Sequence, residues 1–227
     1  GPRDRGESRG EPVGFVLCED DDGEGRRHQS IILDGMRILA LDLGPEWRGG
    51  QVQTFLVSSG LAARGHEVTV GTREGSPLLA RARAAGLPAA PLPRGGEFSP
   101  RLVLRLGSVS RALRPDVLWT GDSRGHGAAV WSGASGRSPL VVHRRVVFAP
   151  GGNPFSRLKY SRAERFLAVS EAVRASLVSA GVTPGRIAVV PDGLPPGAYV
   201  EGPSPHAPPW RLVHVGAFDG RKGQGLV

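Results

Sequence analysis

"RILALDLGPEWRGGQVQTFLVSSGLAARGHEVTV", Arg37 to Val70, reads as strand, glycine-rich turn, helix and strand. "RILALDL" is a short continuous apolar run of the kind found in a strand buried on both faces. "GGQVQTFLVSSGLAARGH" then carries apolar residues at Val52, Phe55, Leu56 and Leu61, with Gly65 placed to stop a helix. "EVTVGT" is the second strand. Two strands joined through a helix need a crossover connection and therefore lie parallel.

The same alternation runs on. "SPLLARARAAG" opens with Ser76 as N-cap and Pro77 at the first helical position, and Gly86 closes it. "LPAAPL" is a short strand at best. "SPRLVLRLGSVSRALRP" repeats the opening with Ser99 and Pro100, and its apolar stripe is Leu102, Leu106, Val109 and Leu113. "DVLWT", "PLVVHRRV", "RFLAVS" and "RIAVVP" are further strands. "GHGAAVWSGAS" and "EAVRASLVSAG" are helices, the second capped by Ser170. The pattern predicts an α/β fold, a doubly wound and mainly parallel sheet of Rossmann-like type covered on both faces.

Outside this core the composition changes. Residues 1–35 are polar, glycine-rich and aperiodic, and read as a disordered extension. Met36 is the one methionine and directly precedes the first strand, so a native start there is expected. The first domain is expected over 36–197. Residues 198–210 are rich in proline and glycine and read as a linker. "RLVHVGAF" is a fresh strand, so 211–227 reads as the first strand and loop of a second, truncated Rossmann-like domain.

The 227 residues contain no apolar run of the ~18 needed to span a bilayer. One cysteine, Cys18, excludes an internal disulfide and suits a reducing, cytoplasmic setting. The formal charge of +8 divides into −4 over residues 1–35 and +12 over the rest. A basic surface favours phosphates, whether of a nucleotide, an anionic lipid or nucleic acid. The cations are almost all arginine, and GC-rich coding explains part of the excess equally well.

Ligands of such sheets bind at the carboxyl ends of the strands, which singles out three loops. In "DLGPEWRGGQ", Gly49 and Gly50 let backbone approach a ligand where a helix begins, a plausible anion seat and otherwise a tight turn. The spacing fits neither G-x-G-x-x-G nor a P-loop. In "VVHRRVVFAP", His143 stands at a strand end beside Arg144 and Arg145. In "HVGAFDGRKGQ", Gly216 ends a strand, and Arg221 and Lys222 follow where they could neutralise a diphosphate. The bland reading of the last is an exposed basic turn.

Five stretches in this order are together specific: "RGGQVQTFLVSSGLAARGHEVTV", "RALRPDVLWT", "KYSRAERFLAVSEAVRASLVSAGV", "RIAVVPDGL" and "LVHVGAFDGRKGQ". From Met36 onward the chain resembles the retaining GT-B glycosyltransferases of the large group 1, family 4-like, class. The resemblance implies two Rossmann-like domains facing across a cleft, the first taking the acceptor and the second a nucleotide-sugar donor. By position it gives Gly49 and Gly50 the approach to donor phosphates and reacting sugar, and His143 a catalytic place facing that sugar. Gly216 and Lys222 fall on the donor-diphosphate loop. An arginine is common after that glycine, but Ala217 stands here and leaves the charge to Arg221 and Lys222. Arg144, Arg145 and Lys159 are candidates on the acceptor side.

The expected function is transfer of a sugar from a nucleotide sugar to a saccharide or lipid-linked acceptor, with retention. The family's E-x7-E element would lie further on, so this chain alone is expected to be inactive. No cofactor or metal is expected, because the six histidines are scattered and have no paired carboxylates beside them. Peripheral contact with an anionic membrane, at its inner face, remains open. A 2-epimerase of the same fold is one rival. A non-catalytic basic module binding nucleic acid or anionic membrane is another. Aromatic content of 6% argues against a surface that stacks single-stranded bases, so no nucleic-acid partner is expected.

Overall fold

The computed structural model describes residues 35–147, 153–194 and 198. The extension before Gly35, the linker beyond residue 198, and the strand and loop at 211–227 lie outside the described residues. Strands and helices alternate from the start: β1 (Arg37–Asp42), α1 (Gly49–Ala63), β2 (Glu67–Arg73), α2 (Pro77–Ala84), β3 (Ala89–Leu92), α3 (Pro100–Leu113) and β4 (Val117–Thr120). Then come α4 (Ser123–Trp131), β5 (Leu140–Arg144), α5 (Pro154–Ser161), β6 (Arg165–Ala168), α6 (Glu171–Ser179) and β7 (Ile187–Val189).

The seven strands among the described residues are all parallel, in the order β3-β2-β1-β4-β5-β6-β7. The direction of winding reverses between β1 and β4. Every crossover there is a helix, so the sheet is covered on both faces. β1 shows how: Leu39 and Leu41 join the core under α3, α4 and α6, while Ile38 and Ala40 join the one under α1. Burying each large aliphatic side chain contributes roughly 1.5–3 kcal/mol, which makes this strand the hinge of both cores.

Local signals set the helix ends. Ser76 Oγ accepts from the Leu79 N–H at 3.2 Å, Pro77 occupies the first turn, and Gly86 (φ +73°) turns the chain out. Ser99 holds the N-cap position of α3 without a side-chain cap bond. α5 has the same signature, with Asn153 Oδ1 accepting from the Ser156 N–H at 2.8 Å ahead of Pro154. The sequence reading assigned no helix there.

α1 departs from expectation in two ways. Gly49 and Gly50 are its first two residues, so the helix begins earlier than a free glycine loop would allow. Its buried stripe is Gln51, Thr54 and Ser58, at helical spacing, while Val52, Phe55, Leu56 and Leu61 are only half-buried. The reason is polar: Gln51 and Thr54 turn inward to satisfy a carboxylate at the end of β1.

Candidate functional site

That carboxylate is Asp42, fully buried at the switch between β1 and β4. Its Oδ1 accepts from the Gly44 N–H (2.9 Å) and Gln51 Nε2 (2.9 Å), and its Oδ2 accepts from Thr54 Oγ1 (2.8 Å). The Gln51 amide also accepts from the Arg48 N–H at 3.2 Å. One side chain thereby ties strand end, turn and helix start together. Across the crevice Asp122 caps α4, its Oδ1 accepting from Gly125 N–H (2.9 Å) and Leu43 N–H (3.2 Å). Burial first, and the nearby Asp42 charge second, push the Asp122 carboxyl up to about 6.

The crevice has no room for side chains at two glycines. A Cβ on Gly44 would collide with the Gln51 amide, and one on Gly121 with the Thr54 hydroxyl. Gly49 and Gly50 differ: nothing lies within 4 Å of a Cβ built there, and neither has positive φ. Neither backbone shape nor crowding from within the described residues demands glycine at these two positions. They leave open space at the first turn of α1, where backbone N–H groups lack intrahelical partners.

His143 ends β5 next to this crevice and is 5% exposed. A guanidinium of Arg145 binds it: Nη2 is 3.0 Å from His143 Nδ1, Nη1 donates to the Gly121 carbonyl at 2.9 Å, and Nε donates to Asp192 Oδ1 at 3.0 Å. The same group lies over the Trp119 ring, 5.7 Å from its centroid. A guanidinium can only donate, so His143 Nδ1 accepts and the neutral ring carries its proton on Nε2. Among the described residues that Nε2 makes no hydrogen bond of ordinary length, and Asp192 Oδ1 stands 3.7 Å away. Burial first and the Arg145 charge second pull the imidazole down to about 4, against Asp192 and the Val190 backbone. The ring is therefore neutral at physiological pH, and its buried N–H faces Asp192 and the Val190 backbone without a hydrogen bond of ordinary length among the described residues. Gln53 completes the cluster by exchanging two hydrogen bonds with Gly193, Nε2 to O at 2.7 Å and N to Oε1 at 3.3 Å.

This arrangement makes a spectroscopic prediction. In Arg145→Gln the cation facing His143 is gone and Asp192 remains. The titration midpoint of His143, followed by nitrogen-15 NMR, should rise from about 4 by roughly one pH unit. The share of ring protonated on Nδ1 should rise too. A midpoint and tautomer identical to the parent's would show that Arg145 does not set the state of the ring.

The sequence of this site region decides the family. Residues 47–197 match the profile described as Glycosyltransferase Family 4. The chain belongs to Glycosyltransferase Family 4. No curated protein matches it in sequence. Among solved structures it is similar to Anabaena HepE in complex with UDP and glucose, at 17% identity and TM-score 0.58, over 70% of this chain and 45% of that one. It is similar to a glycosyltransferase from Rickettsia africae, at 14% and 0.58, over 70% and 43%. The UDP-GlcNAc 2-epimerase of Neisseria meningitidis bound to UDP-GlcNAc is a weaker likeness, at 14% and 0.50, over 68% and 45%. At these identities the likeness shows the fold, that of a Rossmann-like GT-B domain. The chain spans less than half the length of the solved structures it matches here.

The arginine pair parts at the end of β5. Arg145 enters the crevice. Arg144 is buried on the opposite face, its guanidinium 5.9 Å from the Tyr160 ring centroid. Lys159 is buried as well: its ammonium is paired with Glu97 and donates to the Ser123 carbonyl at 2.7 Å. Of the three acceptor-side candidates only Arg145 joins the site. Gly216, Arg221 and Lys222 lie outside the described residues. Asp42, Asp122, Gln53 and Asp192 were not singled out as site residues from sequence. The available signal was an acid ending an apolar run, "LALDLG", and an acid in "WTGDS" at a helix start.

Proposed function

We propose that this chain is the acceptor-side part of a glycosyltransferase that moves a sugar from a nucleotide sugar to a saccharide or lipid-linked acceptor, with retention at the anomeric carbon. The observation that carries the reading is the neutral His143 at the carboxyl edge of a Family 4 sheet, whose Nε2–H makes no hydrogen bond of ordinary length among the described residues. A buried N–H left with only long contacts is costly unless a better acceptor fills the place, and a donor-sugar hydroxyl or ring oxygen is the right kind of acceptor. The open first turn of α1 would face the reacting sugar and its phosphates. Solved proteins of this fold hold UDP and UDP-sugars, which supports a nucleotide-sugar donor.

The leaving group in such a transfer is a nucleoside diphosphate. Negative charge grows on it as the glycosidic bond breaks, so cations opposite it lower the barrier. Arg221 and Lys222, which follow Gly216 in the sequence, would supply them without a metal.

The test is turnover by the chain as it stands and by the same chain fused to a donor-side domain of the family. We expect the fused protein to release nucleoside diphosphate from a nucleotide sugar when a sugar or lipid-linked acceptor is added. The product should keep the donor's anomeric configuration, and the unfused chain should release little. A folded fusion that inverts C2 of a nucleotide sugar without any acceptor would establish the epimerase instead. Inversion at the anomeric carbon would overturn retention alone.

A further inference from the structure

Away from the crevice, on the sheet face covered by α3, α4 and α5, large apolar side chains stand in solvent. Phe98 is 58% exposed, Phe155 65% and Leu104 71%. Leu158, Val146 and Val147 are exposed too. These residues are not scattered. Phe98 stacks on Trp131 with centroids 5.1 Å apart, and Phe155 meets both rings edge-on at 6.3 Å. The three rings join the start of α3, the end of α4 and the start of α5 into one patch.

The helices that carry the patch bear charge of a single sign. α3, α4 and α5 contain no Asp or Glu. On α3, Arg101, Leu104, Arg105, Ser108 and Arg111 share the exposed side, and on α5 Arg157 is exposed beside Leu158. Among the described residues none of Arg101, Arg105, Arg111 and Arg157 enters an ion pair. The acid nearest in sequence to Phe98, Glu97, is taken by Lys159.

Exposed rings and leucines among unpaired arginines fit one kind of partner best. A bilayer surface offers apolar depth for the rings and phosphodiester anions for the guanidinium groups. Nucleic acid would leave Leu104 and Leu158 without partners. A second copy of the chain would set arginine against arginine. We propose that the Phe98 turn with α3 and α5 is a docking face for an anionic lipid bilayer. Phe98 sits on the connection leaving the carboxyl end of β3, and Phe155 in the first turn of α5, the helix that follows the carboxyl end of β5, the edge that also carries His143. Docking there turns that edge toward the lipid. The proposal stands apart from the transferase reading, because it needs neither donor nor turnover.

The experiment is vesicle co-sedimentation of the full chain. The probes are phosphatidylcholine vesicles, equimolar phosphatidylcholine–phosphatidylglycerol vesicles and random duplex DNA. We expect binding to the mixed vesicles well above that to phosphatidylcholine alone. Phe98→Ser with Phe155→Ser should weaken it about tenfold or more. Arg101→Gln and Arg105→Gln, on an exposed helix face, should each weaken it about fivefold, and their folding is checked by melting. Parental binding by a variant carrying both Arg101→Gln and Arg105→Gln overturns the proposal. So does DNA binding as tight as vesicle binding and equally sensitive to the phenylalanines. Concentration-dependent dimerisation that the phenylalanine variants abolish, with no vesicle binding by the parent, would assign the patch to self-association and overturn it as well.

Discussion

Replacing Asp42 with alanine is expected to lower the unfolding free energy by about 3–4 kcal/mol, because buried donors lose their acceptor. Three donors converge on this carboxylate. Thr54 keeps a second partner, the Gly50 carbonyl at 3.0 Å, so it is not orphaned. The Gly44 N–H and the Gln51 amide have no such alternative among the described residues. Each stranded buried donor costs about 1–3 kcal/mol, and relief of repulsion toward Asp122 returns a little. For a domain of this size the melting temperature should fall by roughly 10 °C. Asp42→Asn separates lost acceptor from lost charge. The amide oxygen still serves Gly44 and Gln51, and its NH2 can donate to the Thr54 hydroxyl, so the loss should be about 1 kcal/mol or less. In both variants the Asp122 carboxyl should titrate below its present value of about 6, since one cause of its elevation is removed. Equal melting temperatures for the alanine variant and the parent would mean that the network does not hold the crevice together.

In the fused enzyme of the turnover test, His143→Ala should lower kcat/KM by about a hundredfold. That is the low end of the loss seen when one preorganised hydrogen-bond donor is removed from a reacting group. Most of the loss belongs in kcat if the Nε2–H contact strengthens as the sugar bond breaks. His143→Gln, whose amide N–H can reach a similar place, should restore part of the activity. The pH profile adds a sharper constraint. The folded-state ring titrates at about 4, so it stays neutral through the physiological range. No inflection of kcat/KM between pH 6 and 8 should therefore vanish in the alanine or glutamine variant. A folded alanine variant with parental kinetics would remove His143 from the chemistry, and an inflection near neutrality that disappears with His143 would mean that the ring acts charged.

The sheet could be read from the chain because its strands are buried on both faces and so appear as short, unbroken apolar runs. α2 was marked at both ends by Ser76, Pro77 and Gly86. α1 was located correctly, but its inner seam was not legible: Gln51 and Thr54 look like surface residues until a buried Asp42 is opposite them. The pairing of Lys159 with Glu97 joins residues 62 apart, and no local pattern announces it. The parting of Arg144 from Arg145 was available in principle, since neighbours on a strand point to opposite faces. Which face holds the chemistry depended on β1 lying beside β4, a fact of strand order rather than of local sequence. For the same reason Asp42 and Asp122 became one site only when the topology was known.

The position of β1 also bears on how the protein is made. Among the described strands this one comes first in the chain yet lies in the middle of the sheet, pairing with β2 on one side and β4 on the other. On the ribosome β2 can join it early, but about 75 residues separate Asp42 from Val117, which at 5–20 residues per second is a delay of roughly 4–15 s. Throughout that interval one side of an apolar strand shows unpaired backbone groups, a template for sticking to other nascent chains. Synthesis speed and chaperone supply, more than final stability, would then govern the yield of this domain in a cell.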